Sequence, residues 1–568
     1  MVMTLLSRIA LVSIGIALMS VPICAQDRGQ GRSMVISQFG IVAAENPLAA
    51  QAGVSILEHG GNAVDAAIAA NAVMGVVEPM MNGMGGDLFA IVYDAKSGKY
   101  YGLNASGWSP AGLTIEHMKS KGMVEMPSEG IDSVTVPGVV DGWQKLLDRF
   151  GREKMPDVLD PAIRVAQNGF AVTEWMAPAW SAGVNMLHAT DSASQTFLIA
   201  DRAPRVGEIF RNPDLARSLR QVAQGGRDAF YKGQIAQRIV ELSQQHGGTI
   251  TAADLANYSS EWVDPISTTY RGWTVYQMPP NGQGIAALEM LNIMEKFPLP
   301  DYGLNSTRDL HIMIEAKKLA YADLLRYIGD PDSSKLPVGG MLSKDYAAAR
   351  ASLIDMDKAN CSVAAGLPPG PAAGNDTTYL SVVDRDGNMV SLIQSNSASF
   401  GSGLVAQGTG FVLQNRGAGF SLDPSSPNAL AGHKRPLHTI IPAFLENDKT
   451  RIAFGIMGGF NQGQAHAQFV SHIVDFHQNI QAALETARFS KLTFDGCDVR
   501  LENRIPGGVR QELEAKGHKL EMHNGYSDAF GGGQAVMRDL ASGVNYGASD
   551  PRKDGEAVAE LPPAAPAN

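Results

Sequence analysis

Hydrophobic and polar positions divide the chain into segments of different periodicity. The stretch 34–79 predicts a strand, a turn and two helices, and the second helix is apolar almost all round, which is typical of a buried helix. A Gly-rich turn then enters a strand over 82–94, and the stretch from about 113 to 360 is mostly helical by its periodicity. Strand-like runs return after it, so the helical middle is flanked by strands on both sides.

The pattern changes twice between residues 364 and 403. The first part, to residue 375, is Gly, Pro and Ala, a composition that suits a mobile loop. From Thr377 a β-branched and aromatic run, TTYLSVVD, is followed by a turn at Asp386-Gly387 and a second apolar run, MVSLI. Two such runs joined by a short loop with Asp-Gly predict a β-hairpin. Thr377 therefore stands where a flexible loop meets the first strand.

Two interpretations fit this junction, an inter-domain linker and a cleavage point. If the bond between Asp376 and Thr377 breaks, Thr377 gains a free α-amine beside its own hydroxyl. An N-terminal amine is a recognised base for a threonine nucleophile. Its pKa of about 7.7–8 leaves an appreciable neutral fraction near pH 7. The junction alone leaves both interpretations open.

A second glycine-rich turn follows the hairpin. The segment 452–466 predicts a strand that runs into Gly458-Gly459 and then a helix. Successive backbone N–H groups at such a pair can point at an oxyanion, because no side chain blocks the approach. A tight turn that binds nothing explains the pair equally well.

Two histidines and one glutamate are explained more simply by structural roles than by catalytic or metal-binding roles. His438 lies beside Thr439 in an apolar strand, where a hydrogen-bonded core histidine is the usual case, ahead of a proton-transfer role. His311 and Glu315 lie one turn apart on a predicted helix, but two neighbouring lysines favour a structural face over a metal site.

Composition narrows the function further. The 568-residue chain has 45% hydrophobic and 18% charged residues, as in an ordinary globular protein, and its net charge of −11 gives no basic surface for nucleic acid. The turn at 82–94 lacks the third glycine and the following helix of a dinucleotide site. Cys361 and Cys497 have no zinc-spaced partners. We therefore expect no cofactor and no metal.

The N-terminus resembles an export signal. Arg8 precedes a short apolar run, 9–19, with a plausible cleavage point after Ala25, so residues 1–25 are predicted to be a signal peptide and an uncleaved anchor is the alternative. We expect a periplasmic or secreted protein without a membrane span once the signal is removed. A disulfide is then allowed, but the sequence does not specify one. The tail from about residue 558 is predicted to be disordered.

Seven motifs, in order, resemble the γ-glutamyltransferase (γ-glutamyltranspeptidase) family and cover nearly the whole mature chain. They are GGNAVDAAIA (60–69), SVTVPGVVDGW (133–143), EAKKLAYAD (315–323), NDTTYLSVVDRDGNMVS (375–391), HKRPL (433–437), MGG (457–459) and ASDPRKDG (548–555). The resemblance implies an N-terminal-nucleophile hydrolase with an α+β fold, a four-layer αββα sandwich. It also implies a precursor that cuts itself into a large subunit, 26–376, and a small subunit, 377–568, which remain paired.

The resemblance also assigns roles to individual residues. Cleavage falls between Asp376 and Thr377, and the freed Thr377 is the nucleophile. Gly458 and Gly459 match the oxyanion-hole glycines. Ser395 falls where the family has a second hydroxyl that supports the nucleophile, as Ser instead of the usual Thr.

The substrate pocket departs from the family pattern. Ser106 stands at the position of the arginine that holds the glutamyl α-carboxylate, and Gly419 stands at that of the acidic residue that holds the α-amine. Each lost charge partner weakens binding by about 1.5–3 kcal/mol, so glutathione binding should fall by orders of magnitude. Arg416 replaces a glutamine, and it either meets a carboxylate of another acyl group or supports the loop. The substrate-binding positions implied by the resemblance are Asn415, Arg416, His438, Thr439 and Ser106.

The expected function is that of a self-processing amidohydrolase or acyltransferase that acts on a γ-glutamyl or related acyl amide, with an acyl-enzyme resolved by water or an amine. The pocket motifs are closer to the cephalosporin-acylase-like branch, so a glutaryl-type amidase with little glutathione activity is the alternative. A non-catalytic periplasmic peptide-binding relative is a third hypothesis. The retained Thr377, Ser395, Gly458 and Gly459 count against it.

Overall fold

The computed structural model describes residues 29–363 and 376–563. The predicted signal peptide, the Gly/Pro/Ala-rich loop over 364–375 and the last five residues lie outside the described residues. Within the described ranges, the search for a helix both long and apolar enough to cross a membrane finds none.

The described strands are listed here in chain order, and most of them are short. They are β1 (Val35–Ser37), β2 (Ile41–Ala44), β3 (Asp87–Asp94), β4 (Lys99–Ala105), β5 (Phe170–Ala171), β6 (Ile209–Phe210), β7 (Glu261–Val263), β8 (Ile266–Tyr270), β9 (Trp273–Gln277), β10 (Asp376–Val383), β11 (Met389–Ser397), β12 (Ala443–Glu446), β13 (Thr450–Ile456), β14 (Phe489–Ser490), β15 (Asp498–Glu502), β16 (Lys519–His523), β17 (Gly533–Asp539), β18 (Asn545–Ser549) and β19 (Glu556–Ala559).

The described α-helices concentrate in the first two thirds of the chain. They are α1 (Pro47–Glu58), α2 (Ala63–Val77), α3 (Ile115–Ser120), α4 (Val139–Phe150), α5 (Met155–Asn168), α6 (Met176–Ala182), α7 (Val184–Leu187), α8 (Asp191–Phe197), α9 (Pro213–Tyr231), α10 (Gln234–Gln245), α11 (Ala252–Ala256), α12 (Gly284–Met294), α13 (Leu299–Tyr302), α14 (Thr307–Tyr327), α15 (Val338–Met341), α16 (Lys344–Ala351), α17 (Asn461–Val474), α18 (Ile480–Glu485) and α19 (Gly507–Ala515). Short 3-10 helices cover Ile131–Ser133, Arg416–Gly419 and Asp528–Phe530.

Two seven-stranded antiparallel sheets form the centre of the fold. Sheet I has the order β1-β18-β17-β13-β12-β9-β8, and sheet II has the order β19-β2-β10-β11-β3-β4-β7. The predicted hairpin is present, with β10 and β11 paired at the middle of sheet II.

Side chains alternate between two buried faces of these strands. In β2, Ile41 and Ala43 belong to the core between the sheets, whereas Val42 and Ala44 belong to the core under the helices, as the two-residue period of a strand requires. Helices α1, α2, α4, α5 and α9 supply that outer core of sheet II, and α12, α14, α17 and α18 supply the outer core of sheet I. The predicted αββα sandwich is confirmed.

Chain segments from both sides of residue 377 build each sheet. Sheet I combines β1, β8 and β9 from the upstream part with β12, β13, β17 and β18 from the downstream part, and sheet II is mixed in the same way. Neither part could complete a sheet alone. A cut before Thr377 would therefore leave two chains inside one shared core.

The C-terminal end is more ordered than the sequence predicts. Strand β19 pairs with β2 through Ala559. The buried Glu560 accepts a hydrogen bond from the Gly40 N–H at 2.9 Å and forms an ion pair with Arg385. The prediction of disorder from about residue 558 is wrong for 558–560. The Pro-rich composition of the tail concealed a strand whose partner lies some 500 residues upstream.

Cys361 and Cys497 form a disulfide, with their Cα atoms 4.8 Å apart, which answers the question that the sequence left open. Nearby on α14, the Glu315 carboxylate accepts a hydrogen bond from Lys318 Nζ at 2.6 Å, and His311 Nδ1 lies 2.9 Å from His518 Nε2. The ligand atoms of His311, Glu315 and His518 lie within 4.8 Å of one another, but the ammonium group of Lys318 already pairs with the carboxylate.

Candidate active site

Thr377 lies at a β-bulge near the start of β10. The register of the hairpin shifts between Asp376 and Thr378, so that Ser395 and Asn396 of β11 both lie opposite Thr377. Thr377 Oγ1 donates a hydrogen bond to Ser395 Oγ at 3.2 Å, and both side chains are buried. Bulges redirect side chains and are frequent next to active sites.

The threonine side chain belongs to the face of β10 that looks toward sheet I. Tyr379, two residues further along the strand, packs in the core between the sheets, where a β-carbon on Gly455 of β13 would lie 2.4 Å from its ring. Because side chains two residues apart share a face, Thr377 has the same orientation. Strand β13 leads directly into Gly458 and Gly459, so the nucleophile candidate faces the sheet that carries the glycine pair.

Gly458 and Gly459 form a buried turn at the end of strand β13. Their φ angles are 130° and 56°, a region that L side chains rarely adopt, which explains why glycine is required. Among the described residues, neither amide N–H has a hydrogen-bond acceptor. Buried N–H groups are normally paired, so two adjacent free donors indicate a place for an external oxygen.

Gln283 ties this turn to the neighbouring pocket segment. Its Nε2 donates to the carbonyl oxygens of Thr439 at 2.6 Å and Gly459 at 2.8 Å, and Tyr321 donates to its Oε1 at 2.9 Å. Gln283 lies at the start of α12 and is fully buried. The glycine turn and the Thr439 segment are thus held at a fixed separation.

Arg416 is a buried cation with unused donors. Its Nη1 donates to Thr439 Oγ1 at 2.8 Å, whereas Nε and Nη2 have no partner among the described residues, and no described carboxylate lies within ion-pairing distance. The side chain is 1% exposed. Burial lowers the pKa of Arg416 to about 10, and the nearby charge of Asp87 counteracts part of that shift. An unpaired buried guanidinium is costly, so Arg416 is a candidate for binding an anionic group.

His438 is fully buried and uses both ring nitrogens inside the protein. Nε2 lies 2.9 Å from Asp87 Oδ2, and Nδ1 accepts a hydrogen bond from the Ile440 N–H at 3.3 Å. Burial, together with the charge of Arg416, holds the pKa of His438 well below its usual range, so the ring is neutral. His438 therefore supports the pocket from behind.

The two remaining pocket candidates are also engaged. Ser106 donates its hydroxyl to Asn104 Oδ1 at 2.6 Å and accepts a hydrogen bond from Asn281 Nδ2 at 3.3 Å. Asn415 accepts from the Ala398 N–H at 2.9 Å and donates to the Ser128 carbonyl at 2.6 Å. The structure thus brings all the predicted site residues to adjoining segments. Among the pocket candidates in the described part of the chain, only Arg416 has side-chain polar atoms with no hydrogen-bond partner at all.

Sequence reasoning missed Asp87 and Gln283. Asp87 ends the Gly-rich turn that enters the strand over 82–94, and Gln283 follows a Pro-Asn-Gly turn; neither residue belongs to a recognisable motif. An aspartate at the first position of an apolar strand is a signal that could have identified Asp87, since a polar residue buried there needs hydrogen-bond partners.

A four-layer αββα sandwich with a candidate threonine nucleophile at the start of a central strand is the arrangement of an N-terminal-nucleophile hydrolase. The model of the Gamma-glutamyltranspeptidase family matches residues 49–560. The chain belongs to this family.

Individual relatives are similar over nearly their full length. The chain is 38% identical to the Glutathione hydrolase-like YwrD proenzyme of Bacillus subtilis (strain 168), covering 92% of this chain and 99% of that protein. It is 34% identical to the Glutathione hydrolase proenzyme of Escherichia coli (strain K12), covering 91% of each. The crystal structure of a cephalosporin acylase from Bacillus halodurans superposes with a TM-score of 0.88 at 42% identity, covering 95% of this chain and 99% of the other. The predicted hydrolase of this family is confirmed.

Proposed function

We propose that this enzyme is made as a precursor that cleaves itself between Asp376 and Thr377, and that the freed threonine hydrolyses amides whose acyl group ends in a carboxylate. The large subunit would span 26–376 and the small subunit 377–568. The observation that carries the substrate class is the buried guanidinium of Arg416, whose Nε and Nη2 lack partners among the described residues.

The proposed chemistry needs a nucleophile, a base and an oxyanion site from the chain. In the processed enzyme the α-amine of Thr377 takes the proton from Oγ1, and the oxygen attacks the amide carbonyl. The N–H groups of Gly458 and Gly459 donate to the oxyanion as it forms. The C–N bond then breaks, the proton passes to the leaving amine, and an ester remains on Thr377. Water, or an acceptor amine, attacks this ester and regenerates the threonine. The Ser395 hydroxyl holds Oγ1 in place through the 3.2 Å contact.

The charge pattern of the pocket supports a glutaryl-type acyl group over a γ-glutamyl group. Both carry a carboxylate that suits the free donors of Arg416, since a guanidinium binds a carboxylate bidentately. The γ-glutamyl group also carries an ammonium, and Gly419 offers no side chain to balance it. The similarity to a cephalosporin acylase supports the same choice.

Processing is tested on a reducing denaturing gel with N-terminal sequencing. We expect two fragments in the wild type, one of which begins at Thr377, and a single uncut chain in the Thr377→Ala variant. An active wild-type preparation in which Thr377 is still joined to Asp376 would contradict the proposal. Sequencing of the other fragment tests the signal peptide as well, since it should begin at Gln26 if export to the periplasm or medium removes residues 1–25.

Substrate class is tested with glutaryl and γ-glutamyl anilides on the processed enzyme. We expect the glutaryl compound to have a kcat/KM at least about tenfold higher, because the ammonium of the γ-glutamyl group would be buried without a counter-charge. A preference for the γ-glutamyl anilide would show that an unrecognised group binds the ammonium.

A further inference from the structure

A buried carboxylate at the start of β3 connects the separate segments of the acyl pocket. Asp87 Oδ1 accepts hydrogen bonds from the Gly107 N–H at 2.8 Å and from Gln414 Nε2 at 2.7 Å. Its Oδ2 lies 2.9 Å from His438 Nε2. The Asp87 side chain is fully buried, and besides these three contacts the charges of Arg416 and Arg435 act on it.

Each partner of Asp87 is adjacent to a position that distinguishes this pocket. Gly107 follows Ser106, Gln414 lies two residues before Arg416, and His438 precedes Thr439, whose hydroxyl is the hydrogen-bond acceptor of Arg416. One carboxylate therefore fixes the relative placement of three segments that are distant in the sequence. In sheet II, Asp87 also pairs in register with Ser395, so the same residue sits beside the nucleophile support.

The position of the proton on His438 makes Asp87 an obligatory acceptor. Because His438 Nδ1 accepts from the Ile440 N–H, the ring proton lies on Nε2 and is donated to Asp87 Oδ2. Above its raised pKa of about 7, Asp87 thus accepts three hydrogen bonds, the pattern of an ionised carboxylate. The neutral imidazole binds Asp87, so the carboxylate contributes negative charge near Arg416 without forming an ion pair with it.

We propose that Asp87 is a positioning residue for substrate selection, which, through His438 and Thr439, holds the Arg416 guanidinium so that Nε and Nη2 remain directed to the substrate carboxylate. This inference rests on the proposed function of Arg416. It adds that the selectivity for carboxylate-bearing acyl groups depends on a residue that does not touch the substrate.

The test compares Asp87→Asn with the wild type in the full-length, self-processed enzyme. Asparagine keeps the shape and one acceptor oxygen, but its amide N–H would face the His438 Nε2–H, and two donors cannot pair. Butyryl anilide differs from glutaryl anilide only by the missing carboxylate. We expect the preference for the glutaryl compound to fall at least about tenfold in Asp87→Asn, and we expect a higher KM for the glutaryl compound to account for this fall. Asp384→Asn is the matched control, a buried aspartate at the β10–β11 turn, and should keep the wild-type preference.

A second pair of variants keeps the proposal falsifiable if Asp87→Asn does not fold. His438→Gln retains an N–H donor to Asp87 and should retain most of the preference, whereas His438→Leu should lose it. An unchanged or increased preference in Asp87→Asn, or equal behaviour of the two His438 variants, would overturn the proposal. Failure of the proposed function is distinguishable, because the wild type itself would then show no preference for the glutaryl anilide.

Discussion

Replacement of Arg416 by glutamine gives the sharpest measurement of what the pocket recognises. In the structure, Nη1 is used by Thr439, and Nε and Nη2 have no partner in the described chain. A substrate carboxylate that meets both free donors would gain two charge-assisted hydrogen bonds of about 1.5–3 kcal/mol each. Since about 1.4 kcal/mol is a factor of ten, the loss of both should lower kcat/KM by roughly 100-fold or more.

A pair of substrates isolates this contribution. Glutaryl and butyryl anilides differ by one carboxylate, so the ratio of their kcat/KM values measures the interaction with that group. The Arg416→Gln variant should reduce the ratio by roughly 100-fold or more, mainly by slowing the glutaryl reaction. Arg416→Lys keeps the charge without the planar fork, so its ratio should be intermediate.

The assay follows release of the chromogenic aniline by processed enzyme, with the fraction of cleaved precursor measured for each variant. Inhibition by free glutarate checks the same contact in the absence of chemistry, and its inhibition constant should rise in parallel. The reasoning would be refuted if Arg416→Gln were fully processed and kept the wild-type ratio. Arg416 would then support its loop only, and the carboxylate would bind elsewhere.

Three further predictions concern the nucleophile, the glycine turn and the pH dependence of stability. Gly458→Ala should lower kcat by about 100-fold with little change in KM, because an L side chain disfavours φ near 130° and its adjustment would reorient the oxyanion donors. The surrounding atoms leave room for the methyl group itself. An unchanged kcat would show that these donors take no part in the mechanism. Ser395→Ala should slow both precursor cleavage and anilide hydrolysis about five- to tenfold, since it removes one hydrogen bond of roughly 1 kcal/mol to Thr377; equal rates in time courses of both would show that Ser395 is dispensable. Burial raises the pKa of Asp87 to about 7. Between about pH 4 and 7 the folded chain therefore holds a proton on Asp87 that the unfolded chain has released, so the free energy of unfolding of the parent falls as pH rises through this range. In the uncleaved Thr377→Ala background, the free energy of unfolding of Asp87→Asn relative to its parent should therefore increase with pH by up to about 1.4 kcal/mol per unit, as denaturant titrations would measure, and a flat difference would contradict the raised pKa.

Local patterns were enough to locate Thr377 and the glycine turn as candidates, and the family resemblance then assigned their roles. Thr377 stands at a change of composition that is visible within a few residues, and Gly458-Gly459 interrupt an apolar strand. The hairpin of β10 and β11 follows from alternation and an Asp-Gly turn. The layering of the sheets came from the resemblance, because strand periodicity does not say which sheets stack.

The connections across the pocket could not be read from the sequence. Asp87 meets residues 20, 327 and 351 positions away, and nothing near Asp87 in the chain marks those partners. The same limit applies to β19, whose partner strand β2 lies near the opposite end of the chain. Composition describes each segment in isolation, whereas whether a segment is ordered depends on the other segments that it packs against.

The disulfide between Cys361 and Cys497 gains a meaning from where the proposed cut falls. Cys361 lies upstream of Thr377 and Cys497 lies downstream, so the bond would join the two products of processing. The two subunits would then be covalently linked, so dilution could not separate them, and free subunits would form only after a reductant breaks the disulfide. Without reductant the matured enzyme should migrate as one species of the precursor's mass, although its backbone carries an additional pair of ends.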